Sequence, residues 1–316
     1  MRRALAILAT LLAVTGATRA ADGPADPFTG IRFTDGKARS IADLGDQTVV
    51  MVYFCGHCPS AAKFMRTQAK TAHDLIEERK VPMQLVCVTP DLTPQDLVEW
   101  TKSNGLENAL VGQDTLNPYK VGLQNILQER DYRGGKQVRV SGFGNAFSDD
   151  VRGYLDKGNV GTFRYPLDGL TEDKARTLWW MVERDRPQAM EMLVAARKNK
   201  ALKDDAEKIY AVVEASLVKR QDALLAADIS MATYEGLETL LTQAKPIALK
   251  PATEKLKELG KDATIKTELK ARAIYQQCQE LLAHPNPQKQ QAGREGLETL
   301  AKKYGETVYG KKAGGG

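Results

Sequence analysis

Cysteine, histidine and long apolar runs are all scarce in this chain. Four cysteines (Cys55, Cys58, Cys87 and Cys278) among 316 residues are too few to staple a fold of this size, which excludes a disulfide-framework protein. His73 and His284 have no cysteine beside them and His57 is held between Cys55 and Cys58, so no four-ligand zinc set can be assembled from sequence neighbours. Beyond residue 20 no stretch approaches the roughly 18 apolar residues that a membrane-spanning helix needs. An excess of one charge is also missing. The formal charge is +5, but residues 1–20 hold three arginines and no acid, so the remainder carries +2. A near-neutral chain gives no electrostatic footprint for nucleic acid. Glycine is absent from Thr171 to Glu235 and proline occurs there once, which excludes a turn-rich β architecture for that stretch.

What is present divides the chain. "MRRALAILATLLAVTGATRA" (1–20) has a basic start, an apolar run from Ala4 to about Val14 and a Thr18-Arg19-Ala20 cleavage pattern. It predicts a secretory signal peptide and an exported chain, periplasmic or secreted, with no membrane span once mature. "TVVMVYF" (48–54) and "MQLVCVT" (83–89) are short, apolar and β-branched, as buried strands of a parallel sheet are. Between them, Ala62, Met65, Ala69, Ala72 and Ile76 recur at helical spacing from Pro59 to about Lys80. Strand, helix and strand make a βαβ unit. Thr93 as N-cap, Pro94 at N1 and Gly105 as a stop predict a helix over 93–105. "KQVRVSGF" (136–143) alternates like a strand after the turn signal "RGG". From residue 171 to about 310 the pattern predicts an all-α domain, and 311–316 reads as a flexible tail. Within it "GLETL" occurs at 236 and again at 296, compatible with duplicated tetratricopeptide-like hairpins or with chance. Such helices would pack on each other or on the first domain, and could bind a protein partner or self-associate. Trp179 and Trp180 fit helix packing better than a peptide-binding surface.

The chemistry concentrates in "FCGHCP" (54–59). Cys55 would begin a helix directly after a buried strand, where unpaired N–H groups and the helix dipole favour a thiolate. Cys58, one turn on, could resolve a mixed disulfide. His57, when protonated, adds a positive charge and Pro59 suits the first helical turn. Cys87, mid-strand, and Cys278, on an apolar helix face, read as core residues.

At these residues the chain resembles the thioredoxin-fold redoxins. "CGHC" is the tetrapeptide of protein disulfide isomerases, while "FTDGKARSIADL" (33–44) and "DYRGGKQVRVSG" (131–142) are similar to the entry and late hairpins of TlpA-like and AhpC/TSA-type envelope redoxins. The resemblance covers about residues 25–170 and implies an α/β thioredoxin-like fold over 21–170. It implies a Cys55–Cys58 disulfide, with Cys55 as the attacking thiol and Cys58 as the resolving one. Protein thiols or disulfides would be the substrates and an unnamed redox protein the partner, with no cofactor and no metal. Phe54, Gly56, His57, Pro59 and Gln124 would tune the pair or line the substrate groove. Two departures stand out. Gln124, in "YKVGLQNILQ" (119–128), occupies the place of the family's cis-proline, and Phe54 stands where a tryptophan is usual. No acid lies in "TVVMVYF" to serve as a buried proton acceptor.

Several readings of the pair stay open. A structural disulfide would close so short a loop that it stabilises little. A peroxidatic cysteine would want a Pro-x-x-x-Thr-x-x-Cys approach, and "VVMVYFC" has neither proline nor threonine. The leading expectation is an exported thiol–disulfide oxidoreductase. The alternative is a non-catalytic interaction scaffold on the same fold.

Overall fold

A computed structural model describes residues 26–28, 30–37, 39–114, 117–142 and 147–314. The signal-peptide reading of residues 1–20 lies outside them.

Strand β1 (Arg32–Phe33) and a 3-10 turn (Ile41–Leu44) lead into β2 (Thr48–Phe54). Every residue of β2 is buried, which explains its unbroken apolar run: the strand lies between two covered faces and has no solvent side to alternate with. A helix follows in three pieces: α1 (Pro59–Phe64), a π turn (Met65–Ala69) and α2 (Lys70–Arg79). Periodicity predicts a regular helix here. At the π turn the Thr67 hydroxyl donates to the Lys63 carbonyl at 2.9 Å, a local alternative to the regular helix ladder. Then come β3 (Met83–Thr89), α3 (Pro94–Ser103), β4 (Leu110–Gln113), β5 (Leu127–Arg133), β6 (Lys136–Gly142) and α4 (Phe147–Asp156). Thr93 caps α3, accepting the Asp96 N–H, as predicted.

The sheet order is β1-β4-β3-β2-β5-β6. β2, β3 and β4 are mutually parallel, while β5 runs antiparallel to β2 and β6 antiparallel to β5. A βαβ unit joined to a ββα unit, with the first strand central, is a thioredoxin-like fold. One apolar core serves it, from Phe28 to Val151.

The chain passes to a second core between Val160 and Tyr165. Gly161 makes the crossing at φ +84, and a Cβ there would lie 2.0 Å from the Asp46 carbonyl oxygen, so only glycine fits. The rest is helical: α5 (Asp173–Glu183), α6 (Ala189–Ala196), α7 (Lys203–Leu225), α8 (Met231–Ala244), α9 (Lys250–Leu259), α10 (Ala263–Leu282), α11 (Pro287–Lys303) and α12 (Val308–Ala313). Lys311–Ala313, which composition reads as tail, form the last turn of α12. Thr307 caps that helix, and the Tyr309 ring packs on Tyr275. The two "GLETL" segments fall on α8 and α11. Gly236 approaches Leu224 of α7 and Gly296 approaches the Cys278 sulfur of α10, with hypothetical Cβ distances of 2.7 and 2.5 Å. Each glycine therefore lets its helix lie close against the long helix before it.

The helices also dock on the sheet. Arg184 donates to the Glu77 carboxylate of α2 at 3.1 and 3.0 Å and to the Met83 carbonyl. Trp180 Nε1 donates to the same carboxylate at 2.9 Å, and Arg186 pairs with it at 3.0 Å. Asp185 accepts from Lys37 and Arg39, both at 2.9 Å. These anchors gather where β2 and β3 begin and α2 ends. At the far edge of the sheet Arg32 of β1 reaches Glu280 of α10 at 3.9 Å.

Candidate active site

β2 delivers the cysteine pair to its own C-terminal end. Phe54 is the strand's last residue, and the Cys55 N–H extends the pairing by donating to the Ile126 carbonyl at 2.9 Å. The chain then turns. The Cys58 N–H donates to the Cys55 carbonyl at 3.3 Å, Cys58 becomes the N-cap of α1, and Pro59 takes the first helical turn, where its missing N–H costs nothing. Cys55 and Cys58 are joined as a disulfide with Cα atoms 5.4 Å apart. Both residues are buried, Cys55 at 3% and Cys58 at 5% exposure. A thiol that attacks a substrate needs to be the more open of such a pair, and Cys55 is not: the loops on either side close over both.

One of those loops comes from the β3–α3 connection, which sequence reasoning missed. Asp91 Oδ1 accepts the Gly56 N–H at 2.8 Å and also the Thr89 hydroxyl. The Asp91 carbonyl meets His57 Nε2 at 3.0 Å, so that ring nitrogen carries the proton in this arrangement. Leu92 presses on the turn from the same side. A Cβ at position 56 would lie 2.4 Å from Leu92 Cγ, which is why glycine follows Cys55. Trp100 of α3 stacks on Phe54 with centroids 4.6 Å apart and planes 25° apart. His57 itself is exposed.

The other loop precedes β5. Gln124 sits in a tight turn closed by two backbone bonds between Gly122 and Asn125, at 2.9 and 3.2 Å. Its side chain is exposed and the peptide before it is trans. The carbonyl that faces Cys55 belongs to Ile126, two residues further on.

Acids missing from β2 occur on its neighbour. Glu129 and Asp131 of β5 pair across to Val52 and Val50 and are buried at 3% and 0% exposure. Tyr154 of α4 donates to Asp131 at 2.5 Å and Ser141 to Glu129 at 2.7 Å. Burial, reinforced by the Glu129 charge, pushes the Asp131 carboxyl up to about 7, and burial raises Glu129 as well. Cys87 and Cys278 are buried free thiols whose pKa burial raises, consistent with inert core residues. Among the described residues no three His, Cys, Asp or Glu side chains converge as a metal site, and no helix is long and apolar enough to cross a membrane.

No protein-family model matches this sequence, and no curated protein matches it. Among solved structures, a putative protein disulfide isomerase from Bacteroides thetaiotaomicron is 20% identical, covering 40% of this chain and 82% of its own, with a TM-score of 0.34. A putative thioredoxin from Neisseria meningitidis is 20% identical, covering 43% and 90%, with a TM-score of 0.35. A secreted disulfide oxidoreductase from Mycobacterium tuberculosis is 13% identical, covering 40% and 93%, with a TM-score of 0.33. The thioredoxin-like assignment rests on the strand order and on the placement of the cysteine pair.

Proposed function

We propose that the chain is an exported thiol–disulfide oxidoreductase that acts on protein thiols or disulfides. The carrying observation is the Cys55–Cys58 pair, set where a central strand becomes a helix with the second cysteine as N-cap. In the reducing direction, the Cys55 thiolate attacks a substrate disulfide, forming a mixed disulfide and releasing one substrate thiolate. Cys58 then displaces the second substrate thiolate and closes the Cys55–Cys58 bond. Phe54, Gly56, His57, Pro59 and the Gln124 loop shape the approach. Residues 21–170 form the redox unit and 171–310 a helical unit that holds a partner protein or a second copy. The leader-like residues 1–20 support an extracytoplasmic setting, where a disulfide persists. The burial of both cysteines favours a second reading, a scaffold whose disulfide is structural. One experiment separates them. Cys58→Ser, incubated with insulin, accumulates a mixed disulfide on Cys55 if the pair is redox-active. An adduct-free Cys58→Ser chain, together with a wild type that reduces no insulin, leaves the scaffold.

A further inference from the structure

We infer that Asp91 is a positioning residue that sets the redox poise of the Cys55–Cys58 couple, holding it on the reducing side. The inference rests on the oxidoreductase reading above.

The geometry is specific. The Gly56 N–H is the first amide after Cys55 and points to Asp91 Oδ1 at 2.8 Å. While committed to Asp91, that amide cannot stabilise a Cys55 thiolate. The carboxylate is also drawn against the redox turn, because Leu92 and Asp91 fill the space that a side chain at Gly56 would need, Asp91 Oδ1 lying 2.9 Å from a Cβ there. Its hydrogen-bond donors, Gly56 N–H and the Thr89 hydroxyl, are neutral. His57 meets the Asp91 carbonyl rather than its carboxylate. Among the described residues the side chain of Asp91 has these two neutral donors and no ion pair with a lysine or arginine. A negative charge fixed beside the turn therefore opposes a second one on Cys55, counteracting the α1 N-terminus and a protonated His57.

The sign follows from the half-reaction. Two electrons and two protons convert the Cys55–Cys58 bond to two thiols; two glutathione thiols supply them and leave as one glutathione disulfide. Whatever destabilises the Cys55 thiolate destabilises the reduced form, so the disulfide is favoured and the couple is more reducing. Asp91→Asn keeps an acceptor for Gly56 and Thr89 but removes the charge, and should make the couple more oxidising. Thr89→Val removes one of the donors that shield the carboxylate, and should move it the other way.

The wild type, Asp91→Asn and Thr89→Val are equilibrated in glutathione buffers at pH 7, and the reduced fraction is read by alkylation and mass. The expected result is a roughly tenfold gain in the reduced form for Asp91→Asn, about 30 mV. Thr89→Val should show a smaller change of opposite sign. An Asp91→Asn constant within twofold of wild type overturns the inference and leaves the oxidoreductase reading intact. So does a Thr89→Val shift in the same direction as Asp91→Asn, which would make the network and not the charge responsible. If Asp91→Asn does not fold, the sign of the Thr89→Val shift decides. A wild-type disulfide that never equilibrates with glutathione overturns both readings.

Discussion

Glu77→Ala tests how the helices are held on the sheet. The Glu77 carboxylate receives Arg184 Nε and Nη2 at 3.1 and 3.0 Å, Trp180 Nε1 at 2.9 Å and Arg186 at 3.0 Å. The Arg184 side chain is 1% exposed, so in the fold its guanidinium depends on Glu77, not on solvent, for its counter-charge. Burial lowers the pKa of Arg184, and Glu77 is the largest influence in the opposite direction. Breaking a buried pair by deleting one partner costs about 3–5 kcal/mol. Two features set Glu77→Ala at the lower end, about 3 kcal/mol. The Glu77 side chain is 22% exposed, so water reaches the gap. Arg184 also keeps the Met83 carbonyl and the face of Trp180, whose centroid lies 4.8 Å away. Glu77→Gln retains one acceptor and should cost roughly 1.5 kcal/mol. Adding Arg184→Met to Glu77→Ala should recover part of the loss, because no uncompensated buried charge remains. Urea titration followed by tryptophan fluorescence in a Trp100→Phe background, where only Trp179 and Trp180 remain, reports on this junction. A Glu77→Ala loss below about 1 kcal/mol, or strict additivity with Arg184→Met, would refute a docking role for the pair.

Gly161→Ala forces an L-residue to φ +84 and places a methyl group against the Asp46 carbonyl; a loss of about 2–4 kcal/mol is expected in urea melts, and a variant as stable as wild type would mean the crossing is loosely held. Asp131 has its folded pKa raised to about 7 by burial and Glu129, above the roughly 3.9 of an unfolded aspartate, so its contribution is fully present below pH 4 and is lost as pH rises through 7. Asp131→Asn does not titrate, and its urea midpoint relative to wild type should therefore be higher at pH 8 than at pH 5; the reverse order would show that Asp131 is ionised in the fold across this range.

The legible parts of the fold are those whose cause is local. β2 and β3 announce themselves as apolar runs because both faces are covered, and the Thr93-Pro94 start of α3 is written in its capping chemistry. The Cys55–Cys58 turn is legible for the same reason: strand end, cap and helix start are consecutive in the chain. What the sequence conceals is joined across long separations. Asp91 meets Gly56 across 35 residues, and an aspartate after a strand looks like any turn residue. The Gln124 position is offset from the carbonyl facing Cys55 because the Gly122–Asn125 turn folds the loop back on itself before Ile126. The buried acids escape a search of β2 because they lie on its antiparallel neighbour, where "LQERDYR" reads as a polar strand. Arg184 and Arg186 likewise look like a solvated helix end, and only the meeting of two cores shows them buried against Glu77.

The direction of β2 relates these observations to one another. The strand starts at Thr48, whose N–H donates to the Val160 carbonyl at 3.0 Å. It ends at Phe54, one residue before the redox turn. The helical anchors Glu77, Met83, Lys37 and Arg39 gather towards the starting end. Glu77 and Cys58 lie on opposite ends of the α1–α2 helix, a rise of about 28 Å at 1.5 Å per residue. On the proposed function, a substrate would meet the cysteines between the Asp91 and Gln124 loops, away from the Glu77 junction. Poise and docking are then separate properties of one sheet, the first set by a short-range charge at Asp91 and the second by a buried pair at Glu77. The two ends are joined by the α1–α2 helix and by the lengths of β2 and β3, all held by the core of the sheet, so undocking the helices should loosen the fold without moving the glutathione equilibrium of the pair.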